Sequence, residues 1–253
     1  MLNNNILDNI RIVMIHTSHP GNIGAAARAM KVMGLSDLYL VNPKSFPDEQ
    51  ANAMSANATD ILDNATVVST LAEAIADCQL VVGSSARHER TLSWDIQDSR
   101  ECGETLAQHA SKVKVALLFG RESSGLTNDE LAVCQHLVHI PTNPDYSSLN
   151  VASAVQLLAY ECRIAASKVD SSDTLKANEK PEKNKEDEWV TSDELDGFYQ
   201  HLKQVMEEVE FLDPENPKHL MTRLRRLYSR SSMTRSELNI QRGFLAAIQK
   251  KNR

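Results

Sequence analysis

Four short apolar runs, Ile10–Ile15 (IRIVMI), Leu38–Val41, Leu80–Val82 and Val113–Phe119, are each bounded by polar residues or glycine. Helical patterns such as Ile23–Met33 and Leu149–Ser167 lie among them. Runs of 4–8 apolar residues with sharp borders read as strands buried on both faces. Their alternation with helices over residues 8–166 predicts an α/β layer with a mostly parallel sheet. A chain of 253 residues is long enough to bury such a core without disulfide or metal staples. No apolar run approaches the ~18 residues of a membrane span. The start, Met1 to Ile10, lacks the basic and apolar regions of a secretory signal.

Two further zones follow. Residues 168–188 are rich in Lys, Asp and Glu and poor in apolar side chains, as a solvated flexible linker is. Residues 189–253 read as a small helical unit. Thr191-x-x-Glu194 and Thr234-x-x-Glu237 are capping boxes, and Asp213-Pro214 is expected to stop the first helix. Leu220, Leu224 and Leu227 space a second helix; Leu238, Phe244, Leu245 and Ile248 give the third an apolar face. The expected division is therefore 1–167, 168–188 and 189–253.

Charge is unevenly spread. The whole chain carries −7, but from Asn216 onward ten Lys or Arg face one acid, Glu237. Arg223, Arg225, Arg226 and Arg230 flank Tyr228 in a basic stripe, the footprint of phosphate contact or a solvated face that pairs with the acidic linker. Cys78, Cys102, Cys134 and Cys162 are widely spaced and fit reduced thiols in the cytoplasm better than a disulfide framework.

Several chemistries fall away. Gly-x-Gly-x-x-Gly and Gly-x-Ser-x-Gly are absent. Gly120 and Gly125 have the gap of a phosphate-cradling Walker loop, but Leu126-Thr127 stands where that loop needs Lys and a hydroxyl. Cys134, His136 and His139 suggest a metal set only until the segment is read as a strand, which turns the two histidines to opposite faces. No metal is expected.

Three segments remain as candidates. Asn22 is a plausible cap of the helix that opens at His19-Pro20-Gly21, with Gly24 and Arg28 following on one side. Small residues there would admit a ligand to the backbone, and Arg28 would otherwise make a surface ion pair. Phe119-Gly120-Arg121-Glu122-Ser123-Ser124-Gly125-Leu126 leaves a strand at its carboxyl end, where open sheets bind ligands, or is an ordinary turn. Tyr146-Ser147-Ser148-Leu149-Asn150 enters a helix and offers hydroxyls, an amide and bare N–H groups, or simply a cap.

In this order and at these separations the three segments resemble the motifs of the SPOUT family of RNA 2′-O-methyltransferases, the TrmJ type above all. The resemblance covers residues 8–166 and, less specifically, the helical tail. It implies a trefoil knot, a homodimer with active sites at the subunit interface, and S-adenosylmethionine as cofactor. It implies methylation of a pyrimidine ribose at position 32 of the tRNA anticodon loop, in the cytoplasm. Arg28, Asn22, Glu122, Ser148 and Asn150 match the family's catalytic set. The cofactor would lie against Ser84, Ser85 and Ala86, the Gly120 turn, and Ile140 with Ser147, Ser148 and Leu149. Arg28 and the stripe from Arg223 to Arg230 would meet RNA. The competing readings are a relative acting on ribosomal RNA or another tRNA position, and a catalytically silent RNA-binding module.

Overall fold

The computed structural model describes residues 6–86, 96–173, 188–229 and 231–251. They belong to two compact units, residues 1–178 and 179–253, each described by itself.

The strands of the first unit are β1 (Ile10–Ile15), β2 (Asp37–Val41), β3 (Thr66–Val68), β4 (Leu80–Ser84), β5 (Ile96–Gln97), β6 (Val115–Phe119) and β7 (His136–Val138). Among them run α1 (Pro20–Met33), α2 (Glu49–Ser55), α3 (Thr59–Asp63), α4 (Leu71–Ile75), α5 (Ser99–Ala110), α6 (Asn128–Ala132) and α7 (Val151–Asp173). The strands form one sheet in the order β3-β2-β1-β6-β4-β7-β5, and every described pairing is parallel. The fold is thus α/β, as the alternation predicts.

Alternation along each strand splits the core in two. Ile10, Ile12 and Met14 of β1 pack with Ile23 and Met30 of α1, Leu106 of α5 and Leu158 of α7. Val13 and Ile15 look the other way, toward Ile75, Val81, Leu118 and Leu131. All four cysteines are buried thiols in these layers, none of them in a disulfide.

Arg11 shares the second face, and the apolar run IRIVMI gave no sign of how it is accommodated. Only 2% of it is exposed. Its guanidinium bonds Asp37 at 2.9 Å, both oxygens of Asp77, and the Ala74 carbonyl, and it lies 3.9 Å from the Tyr39 ring centre. A charge this deep needs such partners. Arg11→Met strands two carboxylates. The expected loss is about 2–4 kcal/mol, below the ~3–5 of a wholly buried pair because Asp77 keeps Lys114 and is half exposed. Urea denaturation checks this.

Three sequence expectations change here. Helix α7 runs to Asp173, so it extends into the segment read as linker from residue 168. In the tail, α8 (Ser192–Glu208), α9 (Leu220–Ser229) and α10 (Arg235–Lys251) surround Phe198, Tyr199, Leu202, Leu238 and Leu245. Both capping boxes form, with Glu194 and Glu237 bonding back to Thr191 and Thr234. Helix α8, however, ends at Glu208, before Asp213-Pro214. Leu220, Leu224 and Tyr228 face the tail core, four apart, whereas Leu227 is 54% and Phe244 63% exposed. Spacing alone admitted either face of α9. No described helix is long and apolar enough to cross a membrane.

Candidate functional site

Strands β6, β4 and β7 are neighbours and run the same way, so their carboxyl ends open on one edge. A cavity of about 290 Å³ sits there. That is near the lower bound of the ~300–1,000 Å³ usual for small-molecule sites. Ser84, Ser85 and Ala86 leave β4 into its wall. The Gly120–Gly125 turn leaves β6, and Ile140 follows β7. Ser147, Ser148 and Leu149 close it ahead of α7. All eight residues carried over for the cofactor therefore line one space.

The turn is held tightly. Arg121 and Gly125 exchange backbone hydrogen bonds of 3.2 and 2.8 Å. A Cβ on Gly120 would meet the Gly125 carbonyl carbon at 2.2 Å, and Gly125 itself has φ +68°. Arg121 Nη1 donates to both Glu130 oxygens at 3.0 Å. Glu130 also accepts the Thr127 N–H at 2.7 Å as the capping box of α6. Its partial burial opposes the charge, but the Arg121 bond and the Thr127 N–H bring its carboxyl below the usual range.

Glu122, on the same turn, reaches across to the entry of α1. It accepts from the Ser18 N–H at 3.2 Å, the Ser18 hydroxyl at 3.0 Å and Asn22 Nδ2 at 3.0 Å. Asn150 Nδ2 in turn donates to Asn22 Oδ1 at 3.0 Å. One chain of bonds, Glu122–Asn22–Asn150, thus ties the ends of β6 and β1 to the start of α7. Asn150 also caps α7 through Oδ1, 2.9 Å from the Ala152 N–H. Capping and bridging are both true of it.

Burial works against the Glu122 charge, yet the bonds from Asn22 and Ser18 outweigh it and lower the carboxyl to about 2. A lowered value stabilises the fold fully above the unfolded value near 4.5, and loses that contribution as pH falls toward about 2. Glu122→Gln is therefore expected to cost about 1 kcal/mol, constant from pH 8 to 5 and shrinking below. Denaturation at stepped pH reads this.

Other expectations are corrected. Asn22 is not the cap of α1. His19 holds that position without a side-chain bond, Pro20 follows it, and Asn22 sits inside the first turn, free to face Glu122. Gly24 admits no ligand: a Cβ there would lie 2.0 Å from the Ala51 carbonyl oxygen, so it serves the packing of α1 on α2. Arg28 is exposed, lies off the cavity wall, and makes no ion pair among the described residues. In the tail, Arg225 is turned inward. It bonds Asp196 at 2.6 Å and stacks 4.6 Å from the Tyr199 ring, so it holds α9 on α8. Arg226 is half-buried, Arg223 is exposed, and Arg230 lies outside the described residues.

Ser18 and Arg121 escaped the sequence reading. The clue to Arg121 was its place between Gly120 and Glu122; Ser18 had none, since its partner is distant in sequence. No group among the described residues could hold a metal ion, and His139 Nδ1 is instead 3.1 Å from the Ser85 carbonyl oxygen.

The cavity's chemistry fits a nucleoside bearing a cationic, polar tail. Ile140, Leu149 and Leu126 supply apolar wall for a base, six serines lie around it, and ionised Glu122 stands at its edge.

Residues 9–160 match the SpoU rRNA methylase family, and residues 193–253 match the tRNA methyltransferase TrmJ C-terminal domain. The tRNA (cytidine/uridine/adenosine-2′-O-)-methyltransferase TrmJ of Pseudomonas aeruginosa is 51% identical over 246 residues, 97% of this chain and 95% of that one. The tRNA (cytidine/uridine-2′-O-)-methyltransferase TrmJ of Pectobacterium atrosepticum is 52% identical, covering 97% and 98%. The crystal structure of TrmJ from Z. mobilis ZM4 superposes with a TM-score of 0.80 at 29% identity, covering 94% and 98%.

Proposed function

The chain belongs to the SpoU rRNA methylase family and ends in a TrmJ C-terminal domain, and on that premise we propose that it methylates tRNA at position 32 of the anticodon loop. The acceptor is the ribose 2′-oxygen of a cytidine or uridine, and the donor is S-adenosylmethionine. The observation that carries this reading is the Glu122–Asn22–Asn150 chain at the rim of a cavity lined by the eight cofactor residues.

S-adenosylmethionine supplies an electrophilic methyl group, so the protein needs chiefly to align and to stabilise charge. Ser84, Ser85, Ala86, Gly120, Ile140, Ser147 and Leu149 hold it, with backbone groups at the strand ends reading the base. Ser148 positions the ribose beside it. Glu122, with its carboxyl near 2, is too weak a base to take the 2′-hydroxyl proton at neutral pH. It orients Asn22 instead, and Asn22 with Asn150 fixes the floor on which the ribose rests. Arg28 keeps its proton, as guanidinium does. It clamps the neighbouring phosphate and stabilises the forming alkoxide while water takes the proton.

The remaining parts follow. Arg223 and Arg226, with Arg230, offer the tail's charge to tRNA. The 2′-hydroxyl selects RNA over DNA, because only RNA carries the acceptor. The active unit is a cytoplasmic homodimer with the family's trefoil knot. Leu157, Tyr160 and Ile164 form an exposed apolar stripe on α7 that suits a second copy.

The test is direct. Protein, S-adenosylmethionine and an unmodified tRNA transcript are mixed, and ribose methylation is mapped by nuclease digestion and mass spectrometry. A 2′-O-methyl at position 32 is expected. A methyl elsewhere overturns the position, and cofactor binding without any tRNA product overturns the substrate.

A further inference from the structure

We propose that Arg121 and Glu130 form a clamp that presets the Gly120–Gly125 turn for the cofactor, both acting as positioning residues. The inference rests on the reading of the cavity as the S-adenosylmethionine site.

Arg121 occupies the hinge of the turn. Gly120 before it packs against the Gly125 backbone, and Glu122 after it holds Ser18 and Asn22. Its main chain is pinned to Gly125 in both directions. Ser123 and Ser124 between them are exposed and add no anchor. The side chain supplies the missing one. Nη1 lies 3.0 Å from each Glu130 oxygen, in a pair only 26% and 13% exposed.

Glu130 is itself anchored by the capping box of α6. Its Oε2 accepts the Thr127 N–H and its own N–H donates to Thr127 Oγ1, so α6 fixes it at its first turn. Rigidity therefore passes from α6 through one charge-assisted contact to the residue beside Glu122. Because Arg121 is committed to Glu130, its charge is neutralised at the cavity wall. A sulfonium ligand is then met by ionised Glu122 rather than by a free guanidinium. Holding such a turn in its bound shape lowers the ordering cost of binding.

The rival role for Arg121 is direct contact with the ligand's carboxylate. The two roles separate in a double-mutant cycle read by calorimetric binding of S-adenosylmethionine to the full chain. Glu130→Gln removes the charge pair but keeps the cap, since Gln serves at that position. The clamp predicts that Arg121→Met and Glu130→Gln each raise the Kd about 10-fold, and that the double variant is no weaker than either single one. Arg121→Lys, which keeps a charge for Glu130, recovers most of the affinity. Melting midpoints report that each variant is folded, and Arg121→Gln, which removes the charge but keeps a polar side chain, paired with Glu130→Gln completes the cycle should Arg121→Met fail to fold. A Glu130→Gln variant that binds as wild type, or effects that add, overturns the clamp. A wild-type protein that does not bind S-adenosylmethionine overturns the underlying assignment instead.

Discussion

Arg28→Ala lowers kcat/KM for tRNA methylation by about 10²–10³-fold while S-adenosylmethionine binds with unchanged affinity. The expectation comes from position. Arg28 is exposed on α1, off the cavity wall, and pairs with no acid among the described residues. An exposed side chain without partners adds little to stability, typically within ±0.5 kcal/mol. In the proposed reaction its cation is thus available to the two anions present, the RNA backbone and the alkoxide forming beside it. Calorimetry of cofactor binding and single-turnover methylation separate the two effects. Arg28→Lys restores a point charge but not the fork, and is expected to recover only part of the rate. Loss of cofactor affinity in Arg28→Ala would make the residue structural.

Gly120→Ala acts on the other half of the site. The added methyl would sit 2.2 Å from the Gly125 carbonyl carbon and 2.4 Å from the Leu126 nitrogen. Both are backbone atoms, so no side chain can step aside and the turn must open. Opening moves Glu122 from Ser18 and Asn22 and removes a wall of the cavity. Cofactor affinity is expected to fall by about 100-fold, or nearly 3 kcal/mol. Gly125→Ala is the control. Nothing lies within 4 Å of its Cβ, and only the φ of +68° resists. The loss there should be about 1 kcal/mol, some fivefold in affinity at most. Equal Kd values for Gly120→Ala and wild type would show that the turn does not shape the cofactor site.

Much of this arrangement was written in local pattern. IRIVMI reads as a buried strand, and β1 spans it from end to end. The capping boxes at Thr191 and Thr234 are contacts between residues three apart, so spacing reveals them. The cavity residues came from the family resemblance, and each of their segments marks a strand end or a helix entry.

What stayed hidden depends on residues far apart in the chain. The order β3-β2-β1-β6-β4-β7-β5 puts β4 between β6 and β7, and no periodicity encodes that. Asn22 looked like a cap because Asn usually is one before a helix. Its actual partners, Glu122 and Asn150, are 100 and 128 residues away. Arg11 lies within a run read only as apolar, and its partners Asp37 and Asp77 are 26 and 66 residues away. Arg225 seemed one of a row of free cations, but Asp196 and Tyr199 of α8 take it inward. Charge counts say how many cations a segment holds, not which are already paired.

The central claim is that the cavity and the Glu122–Asn22–Asn150 chain serve methyl transfer to one ribose 2′-oxygen. It is tested most directly with labelled S-adenosylmethionine and two tRNAs that differ in a single atom. One carries ribose at position 32 and the other 2′-deoxyribose. Label is expected to enter the first and not the second, although both bind. Equal labelling of the two would contradict the account, because the methyl would then be going to another atom.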